Sequence, residues 1–162
     1  MNLATLFRLY QPNAHDYFYT TSAGETRHAI ANLGFKDQGI ACYVFAKAES
    51  NTSPLYRLYK PDPYAHFYTR HAAERAKALH DFGFKDQGIA CYAYETRQAG
   101  TFPFYRLFRN TSHLYTLSET EYNNDLGKGW TNEGIACYAY AFNPNEMVPL
   151  TKRCGLPVQA EY

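Results

Sequence analysis

The sequence has little of several features that assign a function directly. It holds one Trp and two Met in 162 residues, and its formal net charge is only +1. Nucleic-acid-binding surfaces are strongly basic, so this charge balance argues against an RNA or DNA partner. No apolar run reaches the roughly 20 residues that a membrane-spanning helix needs, and we expect no insertion into a membrane.

Catalytic and cofactor-binding motifs are missing as well. There is no G-x-S-x-G, no H-E-x-x-H, no phosphate-binding loop and no dinucleotide fingerprint. The four cysteines do not have the short spacing of a zinc site. We therefore predict a protein that is not an enzyme and binds neither a metal nor another cofactor.

The cysteines and the first residues bear on the compartment. Cys42, Cys91 and Cys137 each follow the same Gly-Ile-Ala sequence, and we expect them to be buried free thiols that pack as small hydrophobic groups. The pairing state of Cys154 stays open. The start MNLATLFRLY does not have the pattern of a signal peptide. This predicts a cytoplasmic or non-classically secreted protein, or a secreted one if a signal has been removed.

Tyrosine and phenylalanine are abundant, at 16 and 11 residues, and many recur at a fixed interval. The segment PLYRLYKPDPYAHFYTRHAAERAKALHDFGFKDQGIACYAY, residues 54–94, has one related copy before it and one after it. A period of nearly 50 residues indicates repeated structural units. We predict one domain over residues 1–162, with repeats at 6–47, 55–96 and 104–142.

Each copy predicts two strands, a helix and a third strand. In the second copy, Leu55–Tyr59 and His66–Thr69 flank a Pro-rich turn, which is typical of a hairpin. A capping box, Ser22-x-x-Glu25 in the first copy and Ser118-x-x-Glu121 in the third, predicts the start of the helix and gives its Glu a structural role. The apolar run Gly88–Tyr94 predicts a central strand buried on both faces.

One such unit cannot bury a core alone, whereas three units around an axis can. We therefore expect a mainly β, closed, pseudo-threefold domain of three ββαβ repeats that resembles a β-trefoil. A small propeller-like ring of three sheets is the alternative. Residues 143–162, which include a possible fourth repeat start at Met147, are expected to supply a closing strand and a tail.

The candidate binding residues are polar or aromatic groups that recur in the copies. A repeated Arg can bind a ligand, or it can pair with the helix residues Glu25, Glu74 and Glu121. The His or Tyr of the second strand can edge a pocket or stabilise the hairpin, and the polar turn before the third strand can bind a sugar or its own backbone. The candidates are Arg8, Tyr17, Tyr19, Asp37, Gln38, Arg57, His66, Tyr68, Asp86, Gln87, Arg106, His113, Tyr115, Asn132 and Glu133.

The residues Tyr56–Tyr59, His66–Thr69, Glu74, Gly83-Phe84 and Gly88-Ile89 together resemble a Tyr-rich repeat of secreted and surface proteins of bacteria and of mushroom-forming fungi. That repeat is associated with cell-wall-associated enzymes and fruiting-body proteins, and this association implies glycan binding and a defence role. The third copy departs from the pattern at Leu114, and the first copy has Tyr17 in place of His.

These observations favour a lectin with up to three related, metal-independent sites for glycans on a cell surface or in solution. Repetition suits this function, because weak sites gain avidity when they are multiplied. The alternative is a protein-interaction or protease-inhibitor scaffold that uses loops such as Lys60–Ala65. A glycan hydrolase with Glu133 and Asp86 as its carboxylates is the least favoured hypothesis.

Overall fold

A strand–strand–helix–strand unit occurs three times along the chain in the structure, a computed structural model that describes residues 2–146. The protein is mainly β, with nine antiparallel strands and three short helices. The bounds are β1 Leu3–Gln11, β2 Asp16–Thr20, α1 Ala23–Asn32, β3 Lys36–Phe45, β4 Thr52–Pro61, β5 Tyr64–Thr69, α2 Ala72–Asp81, β6 Lys85–Tyr94, β7 Thr101–Arg109, β8 Ser112–Thr116, α3 Glu119–Leu126 and β9 Thr131–Tyr140. A 3₁₀ turn, Pro144–Glu146, follows, and the predicted closing strand lies outside the described residues.

The three units have the same strand pairing. In each unit the first strand lies between the second and the third, and the register is conserved: Arg8 faces Tyr19, Arg57 faces Tyr68, and Arg106 faces Tyr115. The second strand is therefore an edge of its own unit. The third strands β3, β6 and β9 pair with one another, each through a single residue pair.

The helices begin as the sequence predicts, but the reason for the repeated Glu is different. Ser22 and Ser118 accept hydrogen bonds from the backbone N–H of Glu25 and Glu121, at 3.0 and 3.1 Å. The Glu carboxylates, however, do not complete a capping box. They bind Thr and Arg side chains, as described below, so the structural explanation that rested on the cap alone is wrong.

The third strands are less buried than expected. Cys42 and Val44 are buried, but Lys36–Ile40 are exposed, and the same holds for the corresponding halves of β6 and β9. Ile40 and its counterpart Ile89 are 53% and 48% exposed. The predicted strands Gly39–Phe45 and Gly88–Tyr94 are therefore not buried on both faces at their start, and the observed strands begin earlier, at the polar residues Lys36 and Lys85.

The centre of the core is a ring of three tyrosines, Tyr19, Tyr68 and Tyr115, each 1% exposed. Each hydroxyl donates to a backbone carbonyl of another ring member and accepts from that residue's N–H, at 2.6–2.8 Å. Their rings meet edge to face, with centroids 5.3–5.5 Å apart. Each tyrosine thereby satisfies the outward edge of another unit's second strand, a group that would otherwise need water.

Three thiols lie in the same core. Cys42, Cys91 and Cys137 are buried and unbonded, as predicted, while Cys154 lies outside the described residues. Burial raises the pKa of all three thiols, that of Cys137 to about 12.

Among residues 2–146 there is no helix long and apolar enough to cross a membrane.

The burial of Cys42, Cys91 and Cys137 predicts that the three thiols will not react in the folded protein. A high pKa suppresses the reactive thiolate, and the core excludes the reagent. Alkylation with iodoacetamide, followed by peptide mass spectrometry, should label Cys42, Cys91 and Cys137 only after the chain is unfolded. Labelling of the native protein at the rate of a free cysteine would contradict the burial.

Candidate functional site

Consecutive units meet at three equivalent clefts, and an Arg–Glu pair lies in each. The Arg of one unit binds the helix Glu of another with both terminal nitrogens. The pairs are Arg57–Glu25 at 3.0 and 2.8 Å, Arg106–Glu74 at 2.7 and 2.8 Å, and Arg8–Glu121 at 2.7 and 3.0 Å. We call these the first cleft (units one and two), the second cleft (units two and three) and the third cleft (units three and one).

A threonine completes each pair. Thr20 and Thr69 donate their hydroxyls to Glu25 and Glu74 at 2.5 Å, and both also accept a backbone N–H at the start of the helix. For Glu74, burial raises the carboxyl pKa, but the bonds from Arg106 and Thr69 outweigh burial and leave the pKa below its ordinary value. The Arg, Glu and Thr side chains satisfy one another's hydrogen bonds. Their main role is therefore to connect neighbouring units.

The second cleft is the largest cavity of the three. Its volume is about 450 Å³, compared with about 170 Å³ in the first cleft and about 120 Å³ in the third. Only the second lies in the range of roughly 300–1,000 Å³ that is typical of small-molecule sites. The difference is notable because the three clefts have the same architecture.

Aromatic rings form the walls of the second cleft. Phe67, Phe82 and Phe84 come from unit two, and Phe108 comes from unit three. Phe67 packs against Phe84 with centroids 5.8 Å apart, so it is fixed in place. Phe82, at the end of α2, is 53% exposed and available for contact.

Polar groups from unit three lie at the base of the same cleft. Glu133 contacts Arg106 Nε at 3.0 Å and His113 Nε2 at 3.1 Å. Burial raises the pKa of the Glu133 carboxyl, but the hydrogen bond and charge of His113, together with Arg106, hold it below its ordinary value. The other ring nitrogen, His113 Nδ1, is buried and has no hydrogen-bond partner among residues 2–146.

The first cleft is filled by its own side chains. Asp16, 2% exposed, accepts from the backbone N–H of His66 at 2.8 Å and lies 2.6 Å from His66 Nδ1. The longer hairpin of unit two also brings Tyr64 into this cleft, with its ring 5.6 Å from that of His66. In the second cleft the corresponding residues are Ala65 and Thr111, which leave this space open.

Aromatic rings fill the third cleft. Tyr17 stands where the other units have His, and it packs on Tyr10 and Trp130 with centroids 4.7 and 6.2 Å away. Arg109 lies over the Trp130 ring at 4.8 Å. Ser112, at the position of Asp16, donates its hydroxyl to the backbone carbonyl of His15. The third cleft therefore keeps little room for a ligand.

A family model described as "Domain of unknown function (DUF5648)" matches residues 4–140, which is most of the chain and all three units. The chain belongs to the DUF5648 family. No curated protein and no solved structure matches it. The clefts lie within this DUF5648 domain, so their differences must be interpreted from the geometry of the domain itself.

The structure separates the candidate residues into groups. Tyr19, Tyr68 and Tyr115 were expected at a ligand site, and this is corrected, because they form the buried ring and their hydroxyls are fully used. Arg8 and Arg57 are engaged with helix carboxylates of other units. His66 is buried against Asp16, and Tyr17 fills the third cleft.

The polar residues predicted to form a turn before the third strand lie inside β3, β6 and β9, and most of them bind the local backbone. Asp37, Asp86 and Asn132 each accept from the N–H of a following Gly at 2.8–2.9 Å, and this side-chain-to-backbone bond is the alternative to sugar binding. Asp86 also pairs with Arg75. The next residue differs: Gln87 accepts from Arg57 Nε at 2.9 Å, and Glu133 enters the second cleft.

The structure thus brings three candidates together in an open cavity: Arg106, His113 and Glu133. No group of His, Cys, Asp or Glu within 2–146 is arranged to hold a metal ion. Sequence reasoning missed the walls of the cavity and the closing role of Asp16. The only available signal was that the residue before the repeated His or Tyr is Asp16, Ala65 and Ser112 in turn.

Proposed function

We propose that this DUF5648 domain is a glycan-binding protein with one principal, metal-independent site in the second cleft. The observation that carries the proposal is the aromatic-walled cavity of about 450 Å³ that is also lined by the partly exposed polar groups Arg106, His113 and Glu133. Ligand sites combine such apolar walls with a few fixed polar groups that orient the ligand. The resemblance to a Tyr-rich repeat of surface proteins supports the same class of ligand.

The chemistry of the cavity suits a sugar ring. The C–H groups on one side of a pyranose carry small positive charge and pack on the negative face of an aromatic ring such as Phe82 or Phe84. Hydroxyl groups on the edges need donors and acceptors, which Glu133, His113 and Asn110 provide. Glu74 binds Arg106 with both carboxylate oxygens, and Arg106 in turn contacts Glu133 at 3.0 Å.

A hydrolytic function is less well supported by the same geometry. A glycosidase needs a protonated carboxylic acid, whose pKa is raised, beside a second carboxylate. The pKa of Glu133 is lowered, and Asp86 is held by Arg75 and by a backbone N–H at 2.9 Å. We therefore keep binding without catalysis as the proposed function.

We also propose the ring of three sheets, rather than the trefoil, as the finer description of the fold. The nine strands belong to one sheet, to which each unit contributes three strands, and the helices lie outside the strand pairing. The mutual pairing of β3, β6 and β9 and the cyclic tyrosine bonds support this arrangement. In a ring of this kind, sites between units are a direct product of the repetition.

The proposal predicts that Phe82→Ala weakens glycan binding. Loss of one ring–sugar contact is expected to reduce affinity roughly three- to tenfold. The test is to screen the protein on a panel of mono- and oligosaccharides and to titrate the best ligand by calorimetry. Since Phe82 is 53% exposed, the variant should fold normally.

Phe102→Ala is the matched control, because Phe102 is similarly exposed, at 46%, but lies outside the second cleft. It should leave the affinity unchanged. If the panel shows no glycan binding at all, or if the two Phe variants lose affinity equally, the assignment of the second cleft as a glycan site is wrong.

A further inference from the structure

We infer that the ligand of the second cleft carries a carboxylate, so that the site takes an acidic sugar such as a uronic acid. This inference rests on the proposed glycan function and names the class of glycan. It is carried by a comparison within the molecule. The first cleft shows what occupies the place that is open in the second.

The occupant of that place in the first cleft is a carboxylate. Asp16 binds His66 through both oxygens, one on the backbone N–H at 2.8 Å and one 2.6 Å from ring Nδ1. The second cleft has an equivalent histidine. His113 has the same strand register as His66, and each faces an aromatic residue of the neighbouring strand. Ala65 stands in place of Asp16 and lines the cavity.

The hydrogen bonding of His113 is incomplete without a ligand. His113 Nδ1 is buried and unpartnered within the described part of the chain, while Nε2 is engaged with Glu133 at 3.1 Å. A buried polar atom without a partner is costly and calls for an explanation. Because Nε2–H is donated to Glu133, pairing Nδ1 with a carboxylate requires the imidazolium form of His113, in which both ring nitrogens donate. A ligand carboxylate in the place of the Asp16 side chain would then accept from Nδ1–H, in a position that the molecule already uses once.

Two lysines at the mouth favour the same charge. Lys60 lies over the Phe84 ring at 5.7 Å, and Lys77 lies over Phe82 at 5.9 Å. Neither makes a salt bridge to any residue in the range 2–146. At the corresponding positions the first cleft has Gln11 and His28. With Arg106, the two lysines and the imidazolium form of His113 against Glu74 and Glu133, the open cleft carries two more positive than negative charges.

The pocket therefore has an aromatic wall for a ring, an imidazole partner for a carboxylate, and cations at its rim. A neutral hexose would use the wall but would leave the lysines unpaired. An uncharged aromatic ligand would leave His113 Nδ1 unpaired. A ring that bears a carboxylate satisfies all three features.

The test compares methyl glucuronide with methyl glucoside, and methyl galacturonide with methyl galactoside, by calorimetry on the full chain. We expect at least one acid to bind about tenfold or more tightly than its neutral partner. Lys60→Gln and Lys77→Gln should each weaken the acid and reduce the salt dependence of its binding. Lys47→Gln, at an exposed lysine outside the cleft, should change neither.

Ala65→Asp should abolish binding of the acid, because it copies Asp16 and fills the place with the protein's own carboxylate. Its fold can be checked by circular dichroism. Two outcomes separate the claims. If neutral and acidic sugars bind equally and the lysine variants have no effect, glycan binding stands and this inference is wrong. If cyclohexanecarboxylate binds as well as the uronides, the carboxylate site stands and the glycan function is wrong. If none of these probes binds, both are wrong.

Discussion

Tyr68→Phe is expected to lower the free energy of unfolding by about 2–5 kcal/mol, which corresponds to a fall in melting temperature of roughly 5–15 °C. The reason is that one hydroxyl serves two buried groups. It donates to the carbonyl of Tyr19 and accepts from the Tyr19 N–H, both at 2.8 Å. Without it, a buried donor and a buried acceptor are left unpaired while the ring still fills its space.

Urea denaturation followed by circular dichroism would measure this loss. Tyr122→Phe is the matched control, since Tyr122 stacks on Tyr105 with centroids 4.2 Å apart and its hydroxyl has no hydrogen bond within the described residues. It should change stability by less than about 0.5 kcal/mol. A loss for Tyr68→Phe no larger than that of Tyr122→Phe would show that the central ring does not contribute as the geometry indicates.

The repeat period made the local structure predictable. The alternating strands, the Ser22 and Ser118 caps and the buried thiols all follow from short-range patterns, and each was found where it was expected. A unit repeated at intervals of 46–49 residues, read along the Gly39, Gly88 and Gly134 positions, also implied equivalent environments for equivalent residues.

The contacts between units could not be predicted, because a repeat period does not indicate which copy a given side chain contacts. Arg57 and Glu74 lie in one copy, yet Arg57 binds Glu25 of another. The tyrosines show the same limit. An alternating strand pattern cannot tell a ring that faces a ligand from one that faces its own counterparts, and Tyr68 does the second.

The candidate site depends on departures from the repeat rather than on the repeat itself. The groups shared by all units, Tyr, Arg, Glu and Thr, are used to hold the units together. The cavity opens where Ala65 replaces Asp16 and where a short hairpin ends at Thr111. This explains why three equal sites, which symmetry alone suggested, give way to one principal site in the proposal.

Arg8→Met is expected to cost about 1–3 kcal/mol of stability at neutral pH. Met keeps most of the aliphatic volume but removes both bonds to Glu121, at 2.7 and 3.0 Å. The Glu121 side chain is 31% exposed, and this access to water keeps the cost below that of a fully buried pair. The carboxylate would retain the Thr116 hydroxyl but lose its cation.

The cost should depend on pH in a definite direction. Burial raises the pKa of Glu121, but the bonds from Arg8 and Thr116 and the charge of Arg8 hold it below the ordinary 4.5. A carboxyl whose pKa is lowered in the folded state stabilises the fold above its unfolded pKa, and it loses this contribution as the pH falls through its folded pKa. Without Arg8, burial still raises the pKa and only the Thr116 hydroxyl still lowers it, so the pKa of Glu121 should be higher than in the wild type. The difference between wild type and Arg8→Met should therefore be full at pH 7 and shrink below about pH 4.

Urea denaturation of both proteins at pH 7 and at about pH 3.5 tests this dependence. Arg27→Met is the control, since Arg27 is exposed on α1 and makes no ion pair in the described chain, so its small effect should not vary with pH. A deficit for Arg8→Met that is equal at both pH values would mean that Arg8 acts through packing, for example over the Tyr17 ring at 5.7 Å, and not through Glu121.

The same pairing recurs at Arg57 and Arg106, and the pKa values of Glu25 and Glu74 are lowered in the same way. The wild-type domain should therefore lose stability steeply in this pH range, as the carboxylates of all three connections between units are protonated.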